Sequence, residues 1–186
     1  RLVHTAEVSY TESGTIDADL THLRSTTDGV MDQVHQLRDQ HNADLVALIV
    51  DDGGGFCGIA YVMANGPRAG FASSAFSVTA RDCVANDTLA HELGHNMGNA
   101  HDRATGGTGV FAYSYGYRDE VGRFRTIMAY ACPTVSCPRV KYFSNPRLLH
   151  NGRPLGIDHT VNPTNSADNA RSMNDVRQIV ATWRTG

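Results

Sequence analysis

One stretch constrains this chain above all others: His91-Glu92-Leu93-Gly94-His95-Asn96-Met97-Gly98-Asn99-Ala100-His101. On a helix, His91 and His95 stand one turn apart on the same face and can share a metal ion. Glu92 lies one residue on, beside the ion but angled away, where a base acting on metal-activated water belongs. Gly98 follows three residues after His95. A glycine there can take positive φ, end the helix and turn the chain sharply, so that His101 returns as a third ligand. Three neutral imidazoles suit zinc and leave its fourth tetrahedral position open, which is the catalytic arrangement rather than the closed structural one.

Around that stretch the chain reads as an α/β lobe followed by a less regular one. Residues 2–10 alternate weakly and predict a strand. Ile16, Leu20, Leu23, Val30, Val34 and Leu37 recur at mostly three- and four-residue steps, which predicts one long helix over 16–41. Residues 45–50 (LVALIV) form a continuous apolar run, read as a strand covered on both faces. A Gly-rich turn over 51–58 follows, then strands over 59–63 and 75–79 and a helix over 87–97 capped by Asn86 or Asp87. Beyond Gly98 the sequence is rich in Gly, Pro, Ser and Asn until about 166. A final helix spans 167–183, with Met173, Val176, Ile179, Val180 and Trp183 on one face. The chain of 186 residues fits a single domain, with an upper lobe over about 1–98 and a lower lobe over about 99–186.

Composition excludes several classes. Apolar residues make up 41% and charged residues 19%, as in a globular chain and unlike a disordered one. A net charge of −3 argues against nucleic-acid binding. The longest apolar runs, 45–50 and 59–64, fall far short of the roughly 18 residues of a membrane span. The chain opens on Arg1 with no basic-then-apolar leader, as expected of a processed, exported protein. Four cysteines fit that compartment as two disulfides. Cys132 and Cys137 lie close enough for a small loop bridge, which leaves Cys57 with Cys83; four reduced, buried thiols are the alternative.

The pattern H-E-x-x-H-x-x-G-x-x-H is the signature of the metzincin zinc proteases, and the chain resembles them. That resemblance implies a metzincin-type zincin fold of α/β (α+β) class, with a twisted mixed sheet and two helices in the upper lobe. It also implies a Met-turn and a C-terminal helix in the lower lobe. Thr126-Ile127-Met128-Ala129-Tyr130 fits the Met-turn, in which Met128 underlies the zinc site. Asp102, directly after the third histidine, resembles the adamalysin/reprolysin branch. Residues 138–156, with Tyr142-Phe143-Ser144-Asn145-Pro146, look like secreted bacterial reprolysin-like proteases, including the peptidyl-Asp metallopeptidase group.

The stretch Cys57-Gly58-Ile59-Ala60-Tyr61-Val62 is similar to the clan's edge strand, to which an extended substrate adds in the cleft between the lobes. Gly58, Ile59 and Ala60 are therefore candidate substrate-binding residues. Adamalysins usually carry Cys before the Met-turn Ile and Pro shortly after the Met, where this chain has Thr126 and Tyr130. Met-x-Tyr resembles astacins and serralysins, whose tyrosine stabilises the transition state near the zinc. Tyr130 either does this or packs in the core. The inhibitory segment of related zymogens would lie in a propeptide outside this chain.

Charge is split along the sequence. Sixteen acidic and seven basic side chains fall in residues 1–120, whereas 121–157 holds Arg123, Arg125, Arg139, Lys141, Arg147 and Arg153 with no Asp or Glu. In metzincins this lobe walls the pocket for the residue after the scissile bond. A basic wall there favours an acidic side chain through paired hydrogen bonds, with Arg139 and Lys141 as first choices. A solvated basic surface is the alternative.

These readings predict a secreted, monomeric zinc endopeptidase acting on proteins or peptides by Glu92-assisted attack of zinc-activated water. Two rivals stand beside it: a zinc-containing binding or adhesion module without turnover, and a zinc amidase acting on a non-peptide substrate. Calcium stays open but unsupported, since Asp51-Asp52 before three glycines lacks the spacing of a known loop. His4, His22, His35, His41, His150 and His159 show no ligand spacing, and Asn86-Asp87-Thr88 is a formal glycosylation sequon better read as a helix cap.

Overall fold

A computed structural model of the chain describes residues 1–184; Thr185 and Gly186, the end of the expected lower lobe, lie outside them. The helices are α1 (Ile16–Arg24), α2 (Gln33–Gln40), α3 (Thr88–Asn96) and α4 (Asn169–Val180). The strands are β1 (Val46–Val50), β2 (Gly58–Ala60), β3 (Phe76–Ala80), β4 (Ala100–Asp102), β5 (Tyr115–Gly116), β6 (Arg118–Asp119), β7 (Phe124–Arg125), β8 (Asn145–His150) and β9 (Arg153–Leu155). Among the described residues no helix is long and apolar enough to cross a membrane.

The chain divides into two compact units. The first comprises Arg1–Tyr61, Arg68–Asn96 and Ile179–Gly186. Its sheet runs β1-β3-β2, with β1 parallel and β2 antiparallel to β3. Every residue of the central strand β3 is buried. Ile16, Leu20, Leu23, Met31, Val34, Val50, Phe76 and Val78 form the core, so α1 and α2 both pack on this sheet. The second unit, Val62–Pro67 with Met97–Gln178, is built from three two-stranded ribbons, β4-β5, β6-β7 and β8-β9.

Several expectations need correction. Residues 1–13 contain no strand. Side-chain bonds organise this segment instead of a ladder. The Glu12 carboxylate accepts the backbone N–H groups of Asp51 and Asp52 at 2.6 and 2.9 Å, and the Tyr10 hydroxyl donates to Asp19. The long helix over 16–41 is two helices. Gly29 and Met31 both take positive φ, at 78° and 57°, and no helix continues through such residues. The apolar spacing carries across the break because both pieces face one core. The strand at 45–50 is not covered on both faces: Ile49 is 51% exposed, and the doubly covered strand is β3. The strand expected at 59–63 is the shorter β2, and the terminal helix stops at Val180.

Both disulfides form as expected, Cys57–Cys83 and Cys132–Cys137, and none of the four cysteines is a free thiol.

Candidate metal centre and active site

Helix α3 carries His91, Glu92 and His95, all buried. Its histidine rings meet edge to face, with centroids 4.7 Å apart. The helix starts directly after Asp87, which sits at φ 62° and whose carbonyl accepts the His91 N–H. It ends at a position only glycine can fill. Gly98 has φ 87°, and a Cβ there would stand 2.6 Å from two Val110 side-chain atoms and 3.0 Å from the Met63 carbonyl oxygen. Left-handed backbone and lack of space thus both require glycine. The turn leads into β4 and brings His101 back, so that one ligand atom each from His91, His95 and His101 lies within 4.8 Å of the others. Burial pushes the His101 pKa down, against the opposing pull of the Asp102 carboxylate. A histidine held neutral is in its ligand form, so the donor set fits zinc.

The Met-turn lies against this ligand. Thr126, Ile127, Met128 and Ala129 are all buried, and the Ala129 N–H closes the turn onto the Thr126 carbonyl at 3.0 Å. Gly116 allows the approach: a Cβ on it would fall 2.7 Å from the Ala129 nitrogen. Thr126, standing where adamalysins carry Cys, has its own task. Its hydroxyl accepts the Tyr117 N–H at 2.9 Å and donates to the Tyr117 carbonyl at 3.0 Å. Tyr130 is 47% exposed and is not a core residue; its ring centroid lies 4.3 Å from that of His101.

Sequence reasoning used Asp102 only as a mark of kinship and missed its work. The buried carboxylate accepts the Tyr130 N–H at 3.0 Å, the Thr105 N–H at 3.2 Å and the Thr105 hydroxyl at 2.8 Å, with Arg118 at 3.5 Å. Burial opposes its charge, but these partners outweigh burial and hold its pKa below the ordinary value.

That ligand set, on a glycine-ended helix beside a Met-turn, agrees with the family comparison: the profile of Metallo-peptidase family M12B, Reprolysin-like, matches residues 1–161. The chain belongs to this family. In this reprolysin-like chain, His91, His95 and His101 form a cluster that could hold the family's catalytic zinc. Among curated relatives, a peptidyl-Asp metalloendopeptidase of Stenotrophomonas maltophilia is 39% identical over 95% of this chain and 40% of its own length. One of Xanthomonas campestris pv. campestris is 39% identical over 95% of this chain and 39% of its own length. A third, of Pseudomonas fragi, is 31% identical over 95% of this chain and 85% of its own length. The chain therefore spans about 40% of the first two. A chain from the structure of a chaperone–substrate complex superposes at TM-score 0.67, over 94% of this chain and 28% of its own length, with 18% identity. That likeness concerns the fold alone.

The remaining candidates are placed less uniformly. Gly58, Ile59 and Ala60 form the edge strand β2, half-buried, with Ile59 also packed on the core. The basic stretch is only partly a surface. Arg147 makes a two-pronged bond to Asp168, at 2.6 and 2.8 Å, and Arg153 pairs with the buried Asp119. These two arginines are internal ties of the reprolysin-like fold. Arg125 bonds the Ala129 and Cys137 carbonyls, and its pKa is lowered by burial and by the charge of Arg139. Lys141 is exposed and Arg139 half-buried.

Proposed function

We propose that this chain is a zinc-dependent endopeptidase that cuts peptide bonds on the amino side of acidic residues, aspartate foremost. The observation that carries the first half is the buried Glu92 on the same helix as two of three clustered histidines. A zinc ion held by those imidazoles supplies Lewis acidity, acidifying water and polarising a carbonyl. Glu92 takes the proton from the attacking water and passes it to the leaving amine. The hydroxyl of Tyr130, exposed beside His101, donates to the developing oxyanion. Strand β2 aligns an extended peptide by backbone pairing through Gly58, Ile59 and Ala60.

The acidic preference rests on two supports. The relatives are named for aspartate, and Arg125 and Arg139 are close enough for the charge of one to depress the pKa of the other. A guanidinium facing the substrate offers a carboxylate paired hydrogen bonds, and Arg139 and Lys141 are the candidates for that contact. The two disulfides support an exported enzyme.

The test is a digest of a denatured protein mixture with and without a zinc chelator, each new N-terminus read by mass spectrometry. Chelator-sensitive cuts whose new N-termini are Asp or Glu support the whole reading. Apolar new N-termini overturn the acidic preference alone. No cuts, from protein holding one zinc per chain, favour the binding-module or amidase rivals.

A further inference from the structure

Strand β2 approaches Glu92 more closely than any side chain at position 58 allows. A Cβ built on Gly58 stands 2.5 Å from Glu92 Oε1, 2.8 Å from its Cδ and 2.8 Å from its Cγ. All three distances are shorter than real Cβ contacts. They involve Cγ and Cδ as well as the carboxylate tip, so rotating the carboxylate alone relieves only the first of the three. Conformation is not the reason for glycine here, because Gly58 is outside the positive-φ set. Space is the reason.

Neither wall of this contact is free to retreat. Cys57, the preceding residue, is bonded to Cys83, and its carbonyl accepts the Ala80 N–H at 2.9 Å. Gly58 itself is in register with Thr79 of the fully buried β3. Beyond the strand's other end, the Asn96 amide donates to the Tyr61 carbonyl at 2.9 Å and to the Phe76 carbonyl at 3.0 Å. Asn96 belongs to the helix that carries Glu92, so one buried side chain ties α3 to β3 and to the residue that directly follows β2. On the helix, Glu92 sits between residues committed to the metal, His91 and His95.

We propose that Gly58 is a positioning residue for Glu92: the bare backbone at 58 forms the wall that sets where the glutamate carboxyl group lies. The inference rests on Glu92 being the proton carrier. Strand β2 then has two tasks, holding the substrate backbone and seating the group that works on it. With both walls fixed, a methyl group at 58 displaces the glutamate side chain, and a displacement of about 1 Å costs on the order of 100-fold in rate.

The experiment is a double-mutant cycle on the zinc-loaded protein with Gly58→Ala and Glu92→Ala. Thermal midpoint and zinc content are measured for all four proteins, and kcat and KM on one peptide for those that turn over. Gly58→Ala is expected to keep one zinc and a near-unchanged KM while kcat falls about 100-fold. Its loss of thermal stability is expected to shrink sharply in the Glu92→Ala background, where the three atoms nearest the new methyl group are gone. That second readout survives even if the single variant folds poorly. Wild-type kcat in Gly58→Ala, or an equal stability loss in both backgrounds, overturns the proposal. Full cleavage by Glu92→Ala would instead overturn the role of Glu92 and leave the packing result standing.

Discussion

The Asp102 carboxylate accepts the backbone N–H of Tyr130 at 3.0 Å, which joins the residue after the third histidine to the residue that ends the Met-turn. The two stretches are 28 residues apart in sequence. Asp102 also holds Thr105 and Arg118, so its removal strands several donors at once. Asp102→Ala is expected to cost about 3–5 kcal/mol, the usual range when one partner of a buried charged network is deleted. Asp102→Asn, which keeps an acceptor of the same shape, costs less. Denaturant midpoints of the zinc-loaded variants measure both; equal losses would show that the charge is irrelevant.

Gly98→Ala meets two obstacles, the left-handed backbone and the Val110 side chain. The strain at φ 87° alone is about 1–3 kcal/mol. Because His101 follows three residues later, zinc affinity is expected to fall about 10–100-fold, the range seen when support of a metal ligand is lost. Adding Val110→Gly, which removes both the Cβ and the Cγ1 that a methyl group at 98 would meet, recovers most of the packing part and none of the backbone part. Competition with a chelator of known affinity reads both.

Tyr130→Phe tests the hydroxyl without disturbing the ring beside His101. Loss of about 100-fold in kcat with unchanged KM and zinc content is the expected outcome for a donor to the oxyanion. A kcat within twofold of wild type would assign the ring a packing role only.

The acid side of the stability profile depends in part on Asp119. Burial raises its pKa, but Arg153 and the Gly122 N–H at 2.8 Å outweigh that and hold it below the ordinary value. A carboxyl whose folded pKa is depressed stabilises above its unfolded pKa of about 3.9, and that contribution is lost as pH falls through the folded value. Arg153→Met should therefore lower the denaturant midpoint at pH 7, and the gap to wild type should narrow below about pH 4. A constant gap across that range would show that Arg153 acts through packing instead.

His91, His95 and Glu92 were legible because a helix repeats every 3.6 residues and the two histidines sit one turn apart, and His101 because Gly98 marks where the helix ends and the chain turns back. The disulfide pairing followed from the short span between Cys132 and Cys137. Other features were hidden for identifiable reasons. The break between α1 and α2 does not interrupt the apolar spacing, since Leu23, Met31 and Val34 face one core. Residues 2–10 alternate like a strand, but Tyr10 and Glu12 are anchored by side chains. The β8–β9 hairpin does carry a sequence signal, Asn151-Gly152 at φ 50° and 77°, which suits a tight hairpin turn inside a stretch whose composition is otherwise that of loops. Charge counting could not tell Arg147 and Arg153, spent on Asp168 and Asp119, from arginines facing a ligand. The demand for a bare backbone at Gly58 exists only once β2 and α3 are packed together.

The central claim is that Glu92 performs chemistry at a zinc site it does not help to build. The most direct measurement is cleavage of a denatured protein mixture by Glu92→Gln, with zinc content determined on the same sample. The account predicts one zinc per chain and a rate reduced about 10²–10⁴-fold, the contribution of a positioned proton carrier. Cleavage near the wild-type rate by the fully zinc-loaded variant would contradict it.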